Sequence, residues 1–189
     1  MGYKEYAKDY EIEYVERPGK KRPKAVRIYV GPYFRFAALP ERVRWLKRFY
    51  LTGTVLLALL MLFPMCLNCP FTRAWYIQVP AALAWVPWVY TAAAAWRLCT
   101  AKEKVDREHH DMMGKRMSGA TLFVYLFMAV SVIGCIVMAV RQGVSSLADG
   151  AVFACCLGSA VCAGLMFSRR KELDMIQVEN PEKPHHKTK

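Results

Sequence analysis

Residues 49–65 read FYLTGTVLLALLMLFPM, an apolar run without a charged side chain. A helix needs about 20 predominantly apolar residues to cross the hydrocarbon core of a bilayer. Three further blocks of this kind follow, at about 74–96, 118–140 and 147–167. A helix also satisfies its backbone hydrogen bonds internally, as lipid requires. The sequence therefore predicts an all-α polytopic membrane protein whose four transmembrane helices form two hairpins.

The basic residues are distributed unevenly between the two sides of these predicted spans. Residues 1–48 hold 13 lysines and arginines, residues 97–117 hold 6, and the tail after residue 167 holds 6, whereas the two remaining loops hold one each. Lysine and arginine near span ends are retained in the cytoplasm. We therefore expect a multi-pass protein of the plasma membrane with its N-terminus and C-terminus in the cytoplasm.

The formal net charge of +12 indicates contact with anionic lipid on that side. We expect no nucleic-acid partner, because the sequence predicts no folded basic module that could bind one. Residues 40–48, PERVRWLKR, predict an interfacial basic helix, since proline suits the first helical position. The residues expected to contact lipid headgroups are Arg42, Arg44, Lys47 and Arg48.

The segment 1–39 predicts a small cytoplasmic β-hairpin cap. YEIEYVE and KAVRIYVG alternate apolar and polar residues on either side of the turn-rich RPGKKRP, which is typical of two antiparallel strands. A lone hairpin is marginal in water, so we expect it to rest on the membrane, on the helix bundle or on a partner protein. The polar tail 168–189 is predicted to be disordered.

Small residues recur at four-residue spacing in the last two spans. This pattern allows the backbones of membrane helices to approach closely, so it predicts packing of the third span against the fourth. The residues expected at this contact are Ser131, Cys135, Ala139, Gly150, Ala154, Gly158 and Cys162.

The segment 66–70, CLNCP, places Cys66 and Cys69 at the spacing of a redox pair, on the predicted outer side. A C-x-x-C thiol can exchange with the disulfide of a partner. The same pair is also compatible with a structural disulfide or with two free thiols. Membrane enzymes that make disulfides use a second cysteine pair, and no second pair is predicted on the outer side.

The spans lack the residues on which membrane chemistry depends. None has an aspartate, glutamate, lysine, arginine or histidine in its central third, where such groups mark ion pathways. We expect no catalytic residues, no metal and no cofactor. The sequence therefore favours an accessory, scaffolding or regulatory subunit that acts through its cytoplasmic face, with a membrane or cytoplasmic protein partner or by self-association. A thiol-disulfide relay through Cys66 and Cys69 is the alternative, and a component of a small-molecule transporter is a third possibility.

Overall fold

The computed structural model describes residues 7–15, 24–101, 105–144 and 146–178. It is mostly helical. The helices are α1 (Pro40–Met65), α2 (Pro70–Arg73), α3 (Trp75–Leu83), α4 (Trp85–Thr100), α5 (Arg107–Asp111), α6 (Met117–Gln142) and α7 (Leu147–Ser168). A π-helical turn, Met112–Arg116, joins α5 to α6, and 3-10 turns cover Ala7–Asp9 and Arg169–Leu173.

The first helix begins at Pro40, as the sequence predicts, with Leu39 as its N-cap residue. The predicted interfacial helix and the predicted first span form one continuous helix of 26 residues. The basic first turns and the apolar remainder therefore share one axis.

The second predicted span is divided into α3 and α4 at Ala84. Pro87 has no N–H to donate to the carbonyl of Leu83, so one helical hydrogen bond is missing at this point. The backbone of Ala84 keeps helical angles, with φ −64° and ψ −20°, and its own N–H bonds to the carbonyl of Pro80. The interruption is thus a missing hydrogen bond next to Ala84, while the backbone of Ala84 itself stays helical.

Among the described residues, three helical stretches are long and apolar enough to cross a membrane: Pro40–Met65, Arg107–Gln142 and Leu147–Leu173. These stretches are consistent with a membrane protein, and they contain the first, third and fourth predicted spans. The divided second span does not qualify on length, so the count of four is not confirmed.

The helices form a bundle in which α1 contacts α7 and α4, while α6 contacts α7, α3 and α4. Polar side chains connect these neighbours. The Tyr50 hydroxyl donates to the Met166 carbonyl at 2.8 Å, joining α1 to α7. The indole of Trp88 donates to the Thr54 carbonyl at 3.1 Å, joining α4 to α1. Such interhelical hydrogen bonds supplement van der Waals packing where the surroundings are apolar.

The predicted N-terminal strands are confirmed as β1 (Tyr10–Val15) and β2 (Lys24–Tyr29), which pair antiparallel. Their register places Val26 opposite Glu13. The turn between the strands lies outside the described residues.

A second sheet pairs β3 (Tyr33–Phe36) with β4 (Met175–Val178), again antiparallel. β4 lies in the tail for which the sequence predicts disorder, so the described part of that tail differs from the prediction, and the remainder lies outside the described residues. The physical reason is the pairing itself, because β3 supplies the backbone partners that a short strand lacks in isolation.

Candidate functional site

One end of the bundle carries a folded surface, built from residues 29–47, 105–111 and 169–178, which we call the strand-side face. Phe34 on β3 exchanges two backbone hydrogen bonds with Val105, at 2.8 and 2.9 Å. The ring of His110 stacks on the ring of Phe34, with centroids 4.2 Å apart. Three segments that are distant in sequence therefore meet at β3.

The side chain of Tyr29 connects β2 to the strand-side face. Its hydroxyl accepts a hydrogen bond from the N–H of Arg107 and donates one to the Pro32 carbonyl, both at 3.0 Å. Burial raises the pKa of Tyr29 to about 12, so the hydroxyl keeps its proton near neutral pH. The Asp9 carbonyl accepts the N–H of Val30 at 2.8 Å, and the Asp9 carboxylate lies 3.9 Å from the guanidinium of Arg107.

A charged network joins the start of α1 to the chain after α7. One oxygen of Glu172 accepts from Arg42, with the closer contact at 2.6 Å, and the other accepts from Arg169 at 2.7 Å. Hydrogen bonds from Arg169 and then Arg42 lower the pKa of Glu172. Both guanidinium groups also lie over the ring of Trp45, at 4.4 and 5.6 Å from its centroid.

The four residues predicted to bind lipid headgroups have different surroundings. Arg42 is paired with Glu172, whereas Lys47 donates to the carbonyl of Ala101 at 2.7 Å and of Cys99 at 3.4 Å. Lys47 is therefore half-buried at the end of α4, where a cation also complements the helix dipole. Arg44 and Arg48 are exposed, and neither has an ion-pair partner among the described residues. Neither guanidinium group is therefore neutralised by a carboxylate that the structure describes.

The predicted redox cysteines lie at the opposite end of the bundle, between α1 and α2. Cys66 is exposed, whereas Cys69 is buried as the N-cap residue of α2. The Thr72 hydroxyl accepts the N–H of Cys69 at 3.1 Å and donates to the Leu67 carbonyl at 3.0 Å. All seven cysteines are free thiols.

A second pair of thiols, missed by sequence reasoning, lies within the bundle. Cys135 on α6 and Cys156 on α7 are both buried, on helices that pack against each other. The sequence signal was weak, since the two positions are 21 residues apart and follow no redox spacing.

The predicted small-residue stripe does not face one neighbouring helix throughout. Cys135 is fully buried in α6, whereas the Ser131 hydroxyl donates to the Ile77 carbonyl of α3 at 3.1 Å. A Cβ atom on Gly158 would meet Leu60 of α1 at 3.4 Å. The Cys162 thiol also contacts α1, at 3.6 Å from the Gly53 carbonyl.

The remaining members of the stripe lie at its margins: Ala154 is exposed, while Ala139 and Gly150 are half-buried. The C-terminal half of the α7 stripe therefore packs on α1, and the expected contact with α6 is corrected there. The most deeply buried residues of α7, including Val152 and Cys156, lie on an adjacent face and not on the predicted stripe.

Asp149 is the one buried carboxylate among the side chains that the structure describes in the bundle. It forms a capping box with Ser146 at the start of α7. Its N–H bonds to the Ser146 hydroxyl at 3.2 Å, and its carboxylate accepts the N–H of Ser146 at 3.1 Å. This geometry assigns Asp149 to helix capping.

Within the described part of the chain, no group of three or more histidine, cysteine, aspartate or glutamate side chains is arranged to hold a metal ion. No protein-family model, curated protein or solved structure matches the chain.

Proposed function

We propose that the chain is an integral membrane protein with four passes, in which α3 and α4 together make the second. With Ala84 they cover 26 residues, or about 39 Å at 1.5 Å per residue. Interruptions at proline are tolerated in membrane helices where neighbours surround them, and α6 packs against both halves.

The proposed orientation places the strand-side face in the cytoplasm of the plasma membrane and Cys66 outside. It rests on the excess of lysine and arginine at the strand-side end. A membrane-impermeant maleimide added to intact cells is expected to label Cys66, the exposed thiol, and Cys66→Ser should abolish the labelling. A Ser168→Cys variant, exposed at the other end, should label only after permeabilisation. The reverse pattern would refute the orientation.

The function proposed for this protein is that of a non-catalytic accessory, scaffolding or regulatory subunit, which binds a protein partner through the strand-side face. The supporting observation is the sheet of β3 and β4, to which Val105 is also bonded. A chain that orders three distant segments into one exposed surface, without a catalytic constellation among the described residues, is suited to recognition.

This proposal is tested with a photo-crosslinking amino acid in cells. Ile176 on β4 is 58% exposed at the strand-side face, and Leu147 is 94% exposed at the opposite end. We expect crosslinking from position 176 to give one discrete protein adduct that position 147 does not give. Adducts only with lipid, or equal adducts from both positions, would contradict the proposal.

A thiol-disulfide relay is the second candidate, and the exposed thiol of Cys66, three residues before Cys69, favours it. In such a relay the Cys66 thiolate attacks a partner protein's disulfide and releases one partner thiol. Cys69 then attacks the Cys66 sulfur, which releases the second thiol and leaves a Cys66–Cys69 disulfide. A dithiol of another protein would reduce that disulfide, become oxidised in turn and restore the Cys66 and Cys69 thiols.

The relay predicts that Cys69→Ser traps a mixed disulfide through Cys66, visible as a reducible band of higher mass. We expect no such band, because the buried position of Cys69 suits a helix cap. A trapped complex with a single partner, lost when Cys66 is also replaced, would favour the relay over the scaffold.

A further inference from the structure

A cavity of about 430 Å³ opens on the strand-side face, between the loop that leads into α1 and the first two turns of that helix. This volume falls within the range of about 300 to 1,000 Å³ that is usual for ligand sites. Its walls come from β3, the loop 37–39, α1, Ala101 and β4. A second groove, lined by Glu41, Arg44, Trp45 and Arg48, adjoins it on the next face of α1 and shares Arg44 with it.

The cavity carries positive charge without a compensating acid. Arg35, Arg44 and Lys47 line it, and no aspartate or glutamate is among its described lining residues. Lys47 is fixed in place by the carbonyls of Ala101 and Cys99, which orient its charge but do not neutralise it. The start of α1 also lies at the cavity, with Leu39 and Pro40 in its wall. An anion is the ligand that this electrostatic environment favours.

The rest of the cavity wall is apolar. Phe36, Leu39, Val43 and Ile176 line it, and the side chains of Leu39 and Ile176 are 77% and 58% exposed. A small hydrated anion gains nothing from such a wall, whereas an anion joined to a hydrocarbon chain buries apolar surface there. Val43 precedes the apolar run 49–65 by about two turns of α1, so the cavity lies at the level expected for lipid headgroups.

We propose that this cavity binds one anionic phospholipid, with its phosphate between Arg35 and Arg44 and the start of an acyl chain against Val43 and Ile176. The proposal rests on the proposed placement of the start of α1 at the anionic leaflet, but it does not depend on a protein partner. It assigns specific lipid recognition to the cavity and separates it from general attraction between a basic surface and anionic lipid.

The test uses the purified full-length protein in neutral detergent, with phosphatidylglycerol as the probe and native mass spectrometry as the readout. One phosphatidylglycerol is expected to stay bound under conditions that remove phosphatidylcholine. Each arginine near an anionic lipid contributes about fivefold in affinity, so Arg35→Gln with Arg44→Gln should weaken binding roughly 25-fold. The matched control Arg48→Gln, on the same helix but outside the cavity, should stay within about twofold.

A second variant keeps every charge and fills the space instead. Ala38 lines the cavity, and Ala38→Phe is expected to reduce phosphatidylglycerol binding as the double arginine variant does. This variant also carries the test if the double variant does not fold. Inorganic phosphate should not displace the lipid, because the apolar wall contributes to binding.

Three outcomes would overturn the proposal: equal losses from Arg48→Gln and the double variant, full binding by Ala38→Phe, or displacement of the lipid by inorganic phosphate. The first indicates diffuse surface attraction, the second places the lipid outside the cavity, and the third indicates a site for a free anion. Crosslinking at Ile176 to a protein partner is measured separately, so failure of lipid binding is distinguishable from failure of the scaffold function.

Discussion

The ammonium group of Lys47 lies 2.7 Å from the carbonyl oxygen of Ala101, the C-cap residue of α4. A side chain in the second turn of α1 thus closes the end of another helix 54 residues later in the chain. A hydrogen bond to a charged group contributes about 1.5 to 3 kcal/mol, which makes this contact one of the stronger links between α1 and α4.

Lys47→Met is expected to lower the free energy of unfolding by about 1 to 2 kcal/mol, because it leaves the carbonyls of Ala101 and Cys99 without this donor. Denaturant unfolding in detergent micelles measures the change. Arg48→Met is the matched control, since Arg48 is exposed, and it should shift stability by less than about 0.5 kcal/mol. Equal effects of the two variants would show that Lys47 acts only as a surface charge.

Gly134→Ala is expected to lower the melting temperature in detergent. A Cβ atom at Gly134 would lie 3.2 Å from the backbone oxygen of Tyr76 and 3.0 Å from the Ile77 side chain. A backbone oxygen cannot turn aside as a flexible side chain can, so α6 and α3 must separate, at a cost of about 1 to 3 kcal/mol. Most of this range exceeds the gain in helix propensity of about 1 kcal/mol.

Gly119→Ala is the control for this substitution, because it lies on the same helix with nothing within 4 Å of the added Cβ. It should raise stability by up to about 1 kcal/mol. A higher melting temperature for Gly134→Ala as well would show that α3 and α6 are not in close contact there.

Ile176→Pro is expected to release β4 from β3. Phe34 directs its N–H and carbonyl groups toward Val105, so the backbone groups of its neighbour Arg35 face β4, where Ile176 is the register partner. Proline at position 176 therefore removes a ladder hydrogen bond. Gln177→Pro is the control, because its N–H faces the open edge, where proline is tolerated.

Hydrogen exchange of the Arg35 and Ala37 amides reports the release. Both amides should exchange faster in Ile176→Pro and should be nearly unchanged in Gln177→Pro. Slow exchange in both variants would mean that β4 is not needed to protect β3.

Stability is expected to fall in acid through Glu172. Its pKa is lowered from the ordinary value of 4.5 by its hydrogen bonds to Arg169 and Arg42. The ionised form is therefore favoured by folding, and the stabilisation is complete above about pH 4.5 and disappears as the pH falls through the lowered value. Glu172→Gln should flatten the pH dependence of the unfolding midpoint between about pH 5 and pH 3. Glu41→Gln, an exposed residue of α1, should leave that dependence as steep as in the unchanged protein.

Structural features that depend on neighbouring residues could be predicted from the sequence. Apolar length located the helices that contain residues 49–65, 118–140 and 147–167. Pro40 marked the start of α1. Period-two alternation located β1 and β2. Each of these signals depends only on neighbouring residues.

Features that depend on contact with residues far away in the chain could not be predicted from the sequence. The strand MIQV at 175–178 carries too few residues to distinguish it from a polar tail, and its pairing with β3 appears only in three dimensions. The spacing of small residues indicated a close helix approach and was assigned to the third span, but Gly158 meets α1 instead. Likewise, charge placed Lys47 among lipid-binding residues, although its side chain turns toward the end of α4.

The pairing of β3 with β4 has a consequence for biosynthesis. Arg35 and Ile176 are register partners 141 positions apart in the chain. At the usual rate of translation, β3 leaves the ribosome roughly 7 to 28 seconds before its partner strand. During that interval all the helices of the bundle are synthesised, while β3 keeps one edge unpaired. Closure of this sheet is therefore among the last events in the maturation of each molecule, and an open edge identifies a chain that is still incomplete.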